Sequence, residues 1–197
     1  MKIIGVVGKS GSGKSTLAEM LSNVLNGTHI DFDNVSHQVL KTKEYKKFIK
    51  DNFGKSVFDG EEIDRKKLGN IVFSNARKLE LINKKSETIM ESIIDKTLEK
   101  SPTPYVVFDY ALLPKMKYFK MCNFKILVTA DLETRFNRTT LRDKISKEYF
   151  DIRDASIDEF NAKDFDFVVK NDGLKADLNT KMLKIAKIIK QMENTNA

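Results

Sequence analysis

The chain has 197 residues, of which 41% are hydrophobic and 32% charged, a length that favours one domain with room for an inserted subdomain. No apolar run nears the roughly 18 residues of a membrane span, and Met1 leads into a strand-like segment without an export signal, so a membrane or secreted protein is not expected. The formal net charge of +7 comes from scattered lysines rather than a basic block, which suits a small polyphosphate substrate as well as it suits nucleic acid, and the lone Cys122, which rules out an internal disulfide, fits a reducing cytoplasm.

Ile3, Ile4, Val6 and Val7 form a nearly continuous apolar run, the pattern of a strand buried on both faces. The stretch GVVGKSGSGKST, Gly5 to Thr16, follows directly, with three of its four glycines between Gly8 and Gly13. Leu17, Met20, Leu21, Val24 and Leu25 then recur at helical spacing and predict a helix over Thr16 to Leu25, ended by Gly27. Thr28 to Asp31 reads as a brief second strand, with a helix beginning near Asn34. From Asn34 to Leu98 the pattern is mainly helical, broken at FGKSVFDGEEIDR by Gly54 and Gly60. After Ser101 to Pro104, strands are expected at Tyr105 to Tyr110, Phe124 to Ala130 and Asp166 to Asn171. Leu178, Met182, Ile185, Ile189 and Met192 complete a closing helix whose single apolar stripe reads as core packing. Strands alternating with helices give an α/β class and a parallel sheet covered on both faces.

Gly8-x-x-x-x-Gly13-Lys14-Ser15 between a strand and a helix is the P-loop pattern. Residues without a Cβ let the backbone turn its N–H groups toward phosphate oxygens, and the following helix N-terminus adds positive charge. Gly8, Ser10, Gly11, Ser12, Gly13, Lys14, Ser15 and Thr16 are therefore expected to cradle a nucleoside triphosphate, with Lys14 reaching the β and γ phosphates and the Ser15 hydroxyl on Mg²⁺. The expected cofactors are ATP and Mg²⁺. Asp51-x-x-Gly54 and Asn83-Lys84-Lys85-Ser86 look like GTPase fragments, but both follow helical stretches, and Ser86 stands where a carboxylate must read guanine.

Asp31 and Asp33 lie at the end of the second strand, the side on which α/β sheets bind ligands. A carboxylate there can accept a proton from an acceptor hydroxyl as it attacks the γ-phosphate; the competing reading is a helix cap. Asp109, at the end of YVVFD, has Walker-B character and would serve Mg²⁺ through water. Arg135, Arg138 and Arg142 share one helical face. On an arbitrary helix that is a solvated face, but in a P-loop kinase it is where a lid carries arginines over the phosphates, and Arg153 lies further along the same segment.

Taken in order, IGVVGKSGSGKST, IDFDNVSHQVL, FGKSVFDGEEIDRKKLGNIVF, VVFDYALL, RFNRTTLRDKISKEYFDIR and DFVVKNDG resemble the dephospho-coenzyme A kinase family over most of the chain. The resemblance implies ATP-dependent phosphorylation of the ribose 3′-hydroxyl of dephospho-coenzyme A, the last step of coenzyme A synthesis. It implies catalytic roles for Asp33, Lys14 and Arg142, a nucleotide-side role for Arg138, Asn171 and Gly173, and substrate contacts from Asp33, His37, Arg65 and Asp109. It implies a P-loop NTPase three-layer fold with a core from 1–33, 101–137 and 161–197, a helical substrate-binding subdomain at 34–100 and a lid at about 138–160. The expected partner is a small molecule rather than nucleic acid or membrane, and the expected state is a cytoplasmic monomer or weak homo-oligomer. The chain departs from the family where Asn83-Lys84-Lys85 replaces a His-Pro pair after Leu79-Glu80, at Ala111, which stands where the family has proline, and in lacking a glutamine after Arg153. Those departures bear on the acceptor, which leaves a nucleoside or nucleotide kinase as the rival. An ATP-binding module without transfer is a third reading, disfavoured by intact Lys14, Ser15, Asp33 and Arg142.

Overall fold

The computed structural model describes residues 1–194. In chain order the elements are β1 (Lys2–Val7), α1 (Lys14–Val24), β2 (Thr28–Asp31), α2 (Phe32–Val39), α3 (Lys43–Phe53), β3 (Phe58–Asp59), β4 (Glu62–Ile63), α4 (Arg65–Val72) and α5 (Ala76–Lys100). They continue with β5 (Tyr105–Asp109), α6 (Tyr118–Met121), β6 (Phe124–Thr129), α7 (Leu132–Asp143), α8 (Lys147–Ala155), β7 (Phe167–Lys170) and α9 (Lys175–Asn194). The chain divides into two compact units, one formed by Met1–Asp31 with the chain from Ser101 onward, the other by Phe32–Lys100.

In the first unit the strands order as β2-β5-β1-β6-β7, and every neighbouring pair is parallel. The sheet's central strand β1 is covered on both faces, which is why its sequence is apolar without alternation; Ile4, Val6 and Val7 are fully buried. Leu17, Ala18 and Leu21 of α1 join Leu178, Met182, Ile185 and Ile189 of α9 in one core with Ile4, Val6, Val107, Ile126 and Val128. Register places Asp31 beside Asp109, and Asp109 beside Val6, so the carboxyl ends of β2, β5 and β1 lie on one edge. That edge is where a doubly covered parallel sheet opens to a ligand.

The second unit is helical. α5 packs with α2, α3 and α4, and Val35, Val39, Tyr45, Ile49, Leu68, Val72, Ile89 and Ile94 are among its buried apolar residues. Asp64 caps α4 by accepting from the backbone N–H of Lys66 and Lys67, each at 3.0 Å, which holds its carboxyl below the usual aspartate range.

Several expectations need adjustment. α1 starts at Lys14 and ends at Val24, and Asn26, with φ 50°, makes the left-handed turn in place of Gly27. α2 begins at Phe32, two residues before Asn34, so Asp33 lies in its first turn. The helical break contains a 3₁₀ turn (Lys55–Val57) and a two-residue hairpin, β3 with β4. Met192 is 48% exposed and does not extend the buried stripe of α9. Burial pushes the Cys122 thiol up to about 12, so it stays protonated and donates to the Tyr118 carbonyl at 3.3 Å. Among the described residues no helix is long and apolar enough to cross a membrane.

Candidate active site

The loop between β1 and α1 is shaped by what packs against its outer side. A Cβ on Gly11 would lie 2.4 Å from the Arg135 carbonyl oxygen, and one on Gly13 would lie 2.3 Å from Asn171 Nδ2. Gly13 also has φ 94°, so its backbone and its surroundings each demand glycine. These neighbours are in α7 and in the turn after β7, far away in sequence.

Lys14, the first residue of α1, sets its Nζ 3.2 Å from Asp109 Oδ1 and 3.2 Å from Ser15 Oγ. Asp109 is fully buried at the end of β5. Burial pushes its carboxyl up, but the polar groups around it, His29 first, then the Lys14 charge and Ser15, outweigh that and hold it below the usual range. Asp109 is thus an anion at neutral pH. His29 Nε2 stands 3.6 Å from Asp109 Oδ2. No motif drew attention to this histidine; its signal was only its place in β2, beside the strand that carries Asp109.

The three arginines of α7 have different jobs. Arg135 is buried in an ion pair with Asp154 of α8 and donates Nε to the Ala130 carbonyl at 3.2 Å. Arg138 donates to the carbonyl oxygens of Asn171 at 2.7 Å and Gly173 at 3.0 Å. Arg142 reaches Ser10 Oγ at 3.5 Å and grips Asp143 through Nε at 2.6 Å, and Arg153 Nη1 meets the same carboxylate at 3.1 Å. Arg142 foremost, with Arg153, holds the Asp143 carboxyl below its ordinary range despite partial burial. Lys9 of the loop stands 3.7 Å from Asp154 and also pairs with Glu159. Lys9 fills an unspecified position of the loop motif, Asp143, Asp154 and Glu159 carry no local motif, and the partners of Lys9 lie far off in the chain, so the sequence offered no signal for these pairings.

The first unit therefore gathers the loop from Gly8 to Ser15, Thr16 in the first turn of α1, Asp109, Arg138, Arg142, Asn171 and Gly173. In the second unit Asp33 and His37 occupy the first and last turns of α2 and Arg65 opens α4, all three exposed. Asn83, Lys84 and Lys85 are interior to α5, and Lys85 pairs with Glu44 at 2.6 Å, so neither GTPase-like fragment has a strand-end setting.

A parallel sheet whose central strand runs into a phosphate-type loop, with Lys14 and Ser15 against a buried strand-end aspartate, is the architecture of an α/β kinase of the P-loop class. The family model described as dephospho-CoA kinase matches residues 2–177. The chain belongs to that family, and it is a kinase. The dephospho-CoA kinase of Fusobacterium nucleatum is 31% identical over 191 residues, covering 95% of this chain and 98% of that protein. A solved Thermus thermophilus protein superposes with a TM-score of 0.81 at 26% identity, covering 95% of this chain and 96% of that one. The solved dephospho-CoA kinase from Campylobacter jejuni has a TM-score of 0.61 at 26% identity, covering 95% and 97%.

Proposed function

We propose that the chain transfers the γ-phosphoryl group of ATP to the ribose 3′-hydroxyl of dephospho-coenzyme A, giving coenzyme A and ADP. The observation that carries this reading is the pairing of Lys14 with buried, ionised Asp109 beside Ser15, in a chain that its family model covers from residue 2 to residue 177.

The acceptor oxygen attacks the γ-phosphorus, the bond from that phosphorus to the β,γ-bridging oxygen breaks, and the acceptor proton goes to a carboxylate. We assign that carboxylate as Asp33, two residues past the end of β2. Asp109 is poorly suited to accept the proton, because an acid held below its usual range and engaged by Lys14 is a weak base. Lys14 spans the β and γ phosphates. Arg142 adds charge to the phosphoryl group in the loose transition state, and α8 with the chain around it, within a lid at about 138–160, excludes water. Ser15 Oγ and the ionised Asp109 carboxylate are the hard oxygen donors that would hold Mg²⁺, and the ion would supply positive charge to neutralise the phosphates. His37 and Arg65 are assigned to the acceptor, and the backbone at Asn171 and Gly173 to the adenine side. The reading places the enzyme in the cytoplasm as a monomer or weak homo-oligomer with a small-molecule substrate. Asn83-Lys84-Lys85, in place of the family's His-Pro pair, is the feature that keeps a nucleoside or nucleotide acceptor as the second reading.

The test uses ATP labelled at the γ-phosphate. Label should pass to dephospho-coenzyme A in a single turnover, and Asp33→Asn should slow that passage by about 10² to 10⁴ with ATP affinity nearly unchanged. Near-normal transfer in the variant would remove Asp33 from its role.

A further inference from the structure

We infer that Asn171 is a positioning residue for the phosphate cradle, acting through the Ser12–Gly13 peptide, with Arg138 as its clamp. This rests on the reading of Gly8 to Ser15 as a polyphosphate site. Asn171 is only 6% exposed. Its backbone N–H donates to the Thr129 carbonyl at 2.7 Å, which fixes it to the end of β6, and its carbonyl accepts from Arg138 Nη1 at 2.7 Å. Arg138 also holds Gly173 at 3.0 Å, so the turn after β7 is pinned at two carbonyls. From that fixed place the Asn171 side chain donates Nδ2 to the Ser12 carbonyl at 2.8 Å.

The consequence follows from peptide planarity. In a trans peptide the carbonyl and the next N–H point in opposite directions, and the described residues contain no cis bond. Tying the Ser12 carbonyl to Asn171 on the outer side of the loop therefore points the Gly13 N–H to the inner side, where a phosphate oxygen can accept it. Gly13, with φ 94° and no Cβ, has the backbone freedom to let that peptide flip. The Asn171 bond selects one of the two orientations before a ligand arrives. Its side-chain amide thus serves the loop and not the nucleotide base.

Asn171→Asp keeps the shape, removes the donor and sets a carboxylate oxygen against the Ser12 carbonyl. Two probes separate the possible roles in titration calorimetry: Mg-ATP, and magnesium tripolyphosphate, which has no base. The variant should weaken both by the same factor, about tenfold or more, the usual effect of leaving one buried hydrogen-bonding group unpaired. It should also lower the transfer rate and leave the preference for ATP over GTP unchanged. ATP weakened with tripolyphosphate unaffected would mean that Asn171 reads the base, and would overturn the proposal. A lower melting temperature with both affinities intact would overturn it too, since that is a purely structural role. Should Asn171→Asp fail to fold, Arg138→Gln loosens the same clamp from outside and should weaken both probes by a smaller common factor; unchanged affinities there would also overturn the proposal. Wild-type protein that binds neither probe would instead sink the polyphosphate reading itself.

Discussion

Gly13 and Gly54 both hold positive φ, 94° and 79°, yet they sit in opposite surroundings. A Cβ on Gly54 would meet nothing within 4 Å, whereas one on Gly13 would meet Asn171 Nδ2 at 2.3 Å. Gly54→Ala should therefore show the backbone penalty alone, about 1 to 3 kcal/mol because its φ of 79° and ψ of −176° lie where essentially only glycine goes, or roughly 2 to 12 °C in melting temperature for a chain this long. Gly13→Ala should lose more stability than that and should also lose ATP affinity, because Asn171 must move off the Ser12 carbonyl. Thermal melts with and without Mg-ATP separate the two; equal effects on both properties would contradict this account of the loop. Residue-scale legibility followed locality. Lys14, Ser15 and Asp109 were readable because a contiguous motif and a strand end define them. Asn171 was readable as a position but not as a brace, since its partner Ser12 lies 159 residues away.

At the scale of elements, α8 is a nine-residue helix docked on α7 by two ion pairs, Arg135 with Asp154 and Arg153 with Asp143, and by an aromatic contact. Phe136 and Phe150 meet edge to face with centroids 5.4 Å apart, and Arg135 pairs with Asp154. Burial raises the Asp154 carboxyl, but Arg135, with help from Lys9, brings it below the ordinary aspartate value of 3.8. A depressed carboxyl contributes stability above its unfolded value, and that contribution is lost as pH falls through the folded one. Asp154→Asn should therefore cost about 3 kcal/mol at neutral pH, the usual effect of breaking a largely buried pair. In urea titrations the gap between wild type and variant should narrow once the pH drops below 3.8; a gap independent of pH would contradict the pairing. The inner strands β1, β5 and β6 were legible because parallel strands covered on both faces read as apolar runs, whereas the edge strand β2, with Ile30 as its one apolar residue, offered a weaker signal. The hairpin of β3 and β4 was not, because two residues per strand leave no period to detect. α2 began earlier than expected because Phe32 is fully buried and helical, a choice made by packing and not by the local polar residues.

For the whole molecule, sheet order and register explain why the loop, Asp109 and Asp31 share one edge, and they place the arginines of α7 next to that loop. The α/β class and the motif order were readable from sequence because each strand and the P-loop are local patterns. The division of labour among Arg135, Arg138 and Arg142 was not, because one helical face meets three different neighbours. The net charge of +7 suits a polyanionic substrate but does not choose among phosphate acceptors. The central claim is the identity of that acceptor, and one competition tests it most directly. Dephospho-coenzyme A, adenosine and AMP are offered together at equal concentration with limiting Mg-ATP, and every phosphorylated product is identified by mass and by the position of its new phosphate. The account predicts that nearly all transferred phosphate is found on the ribose 3′-oxygen of the coenzyme precursor. Phosphate found mainly on adenosine or AMP, or released to water, would contradict it.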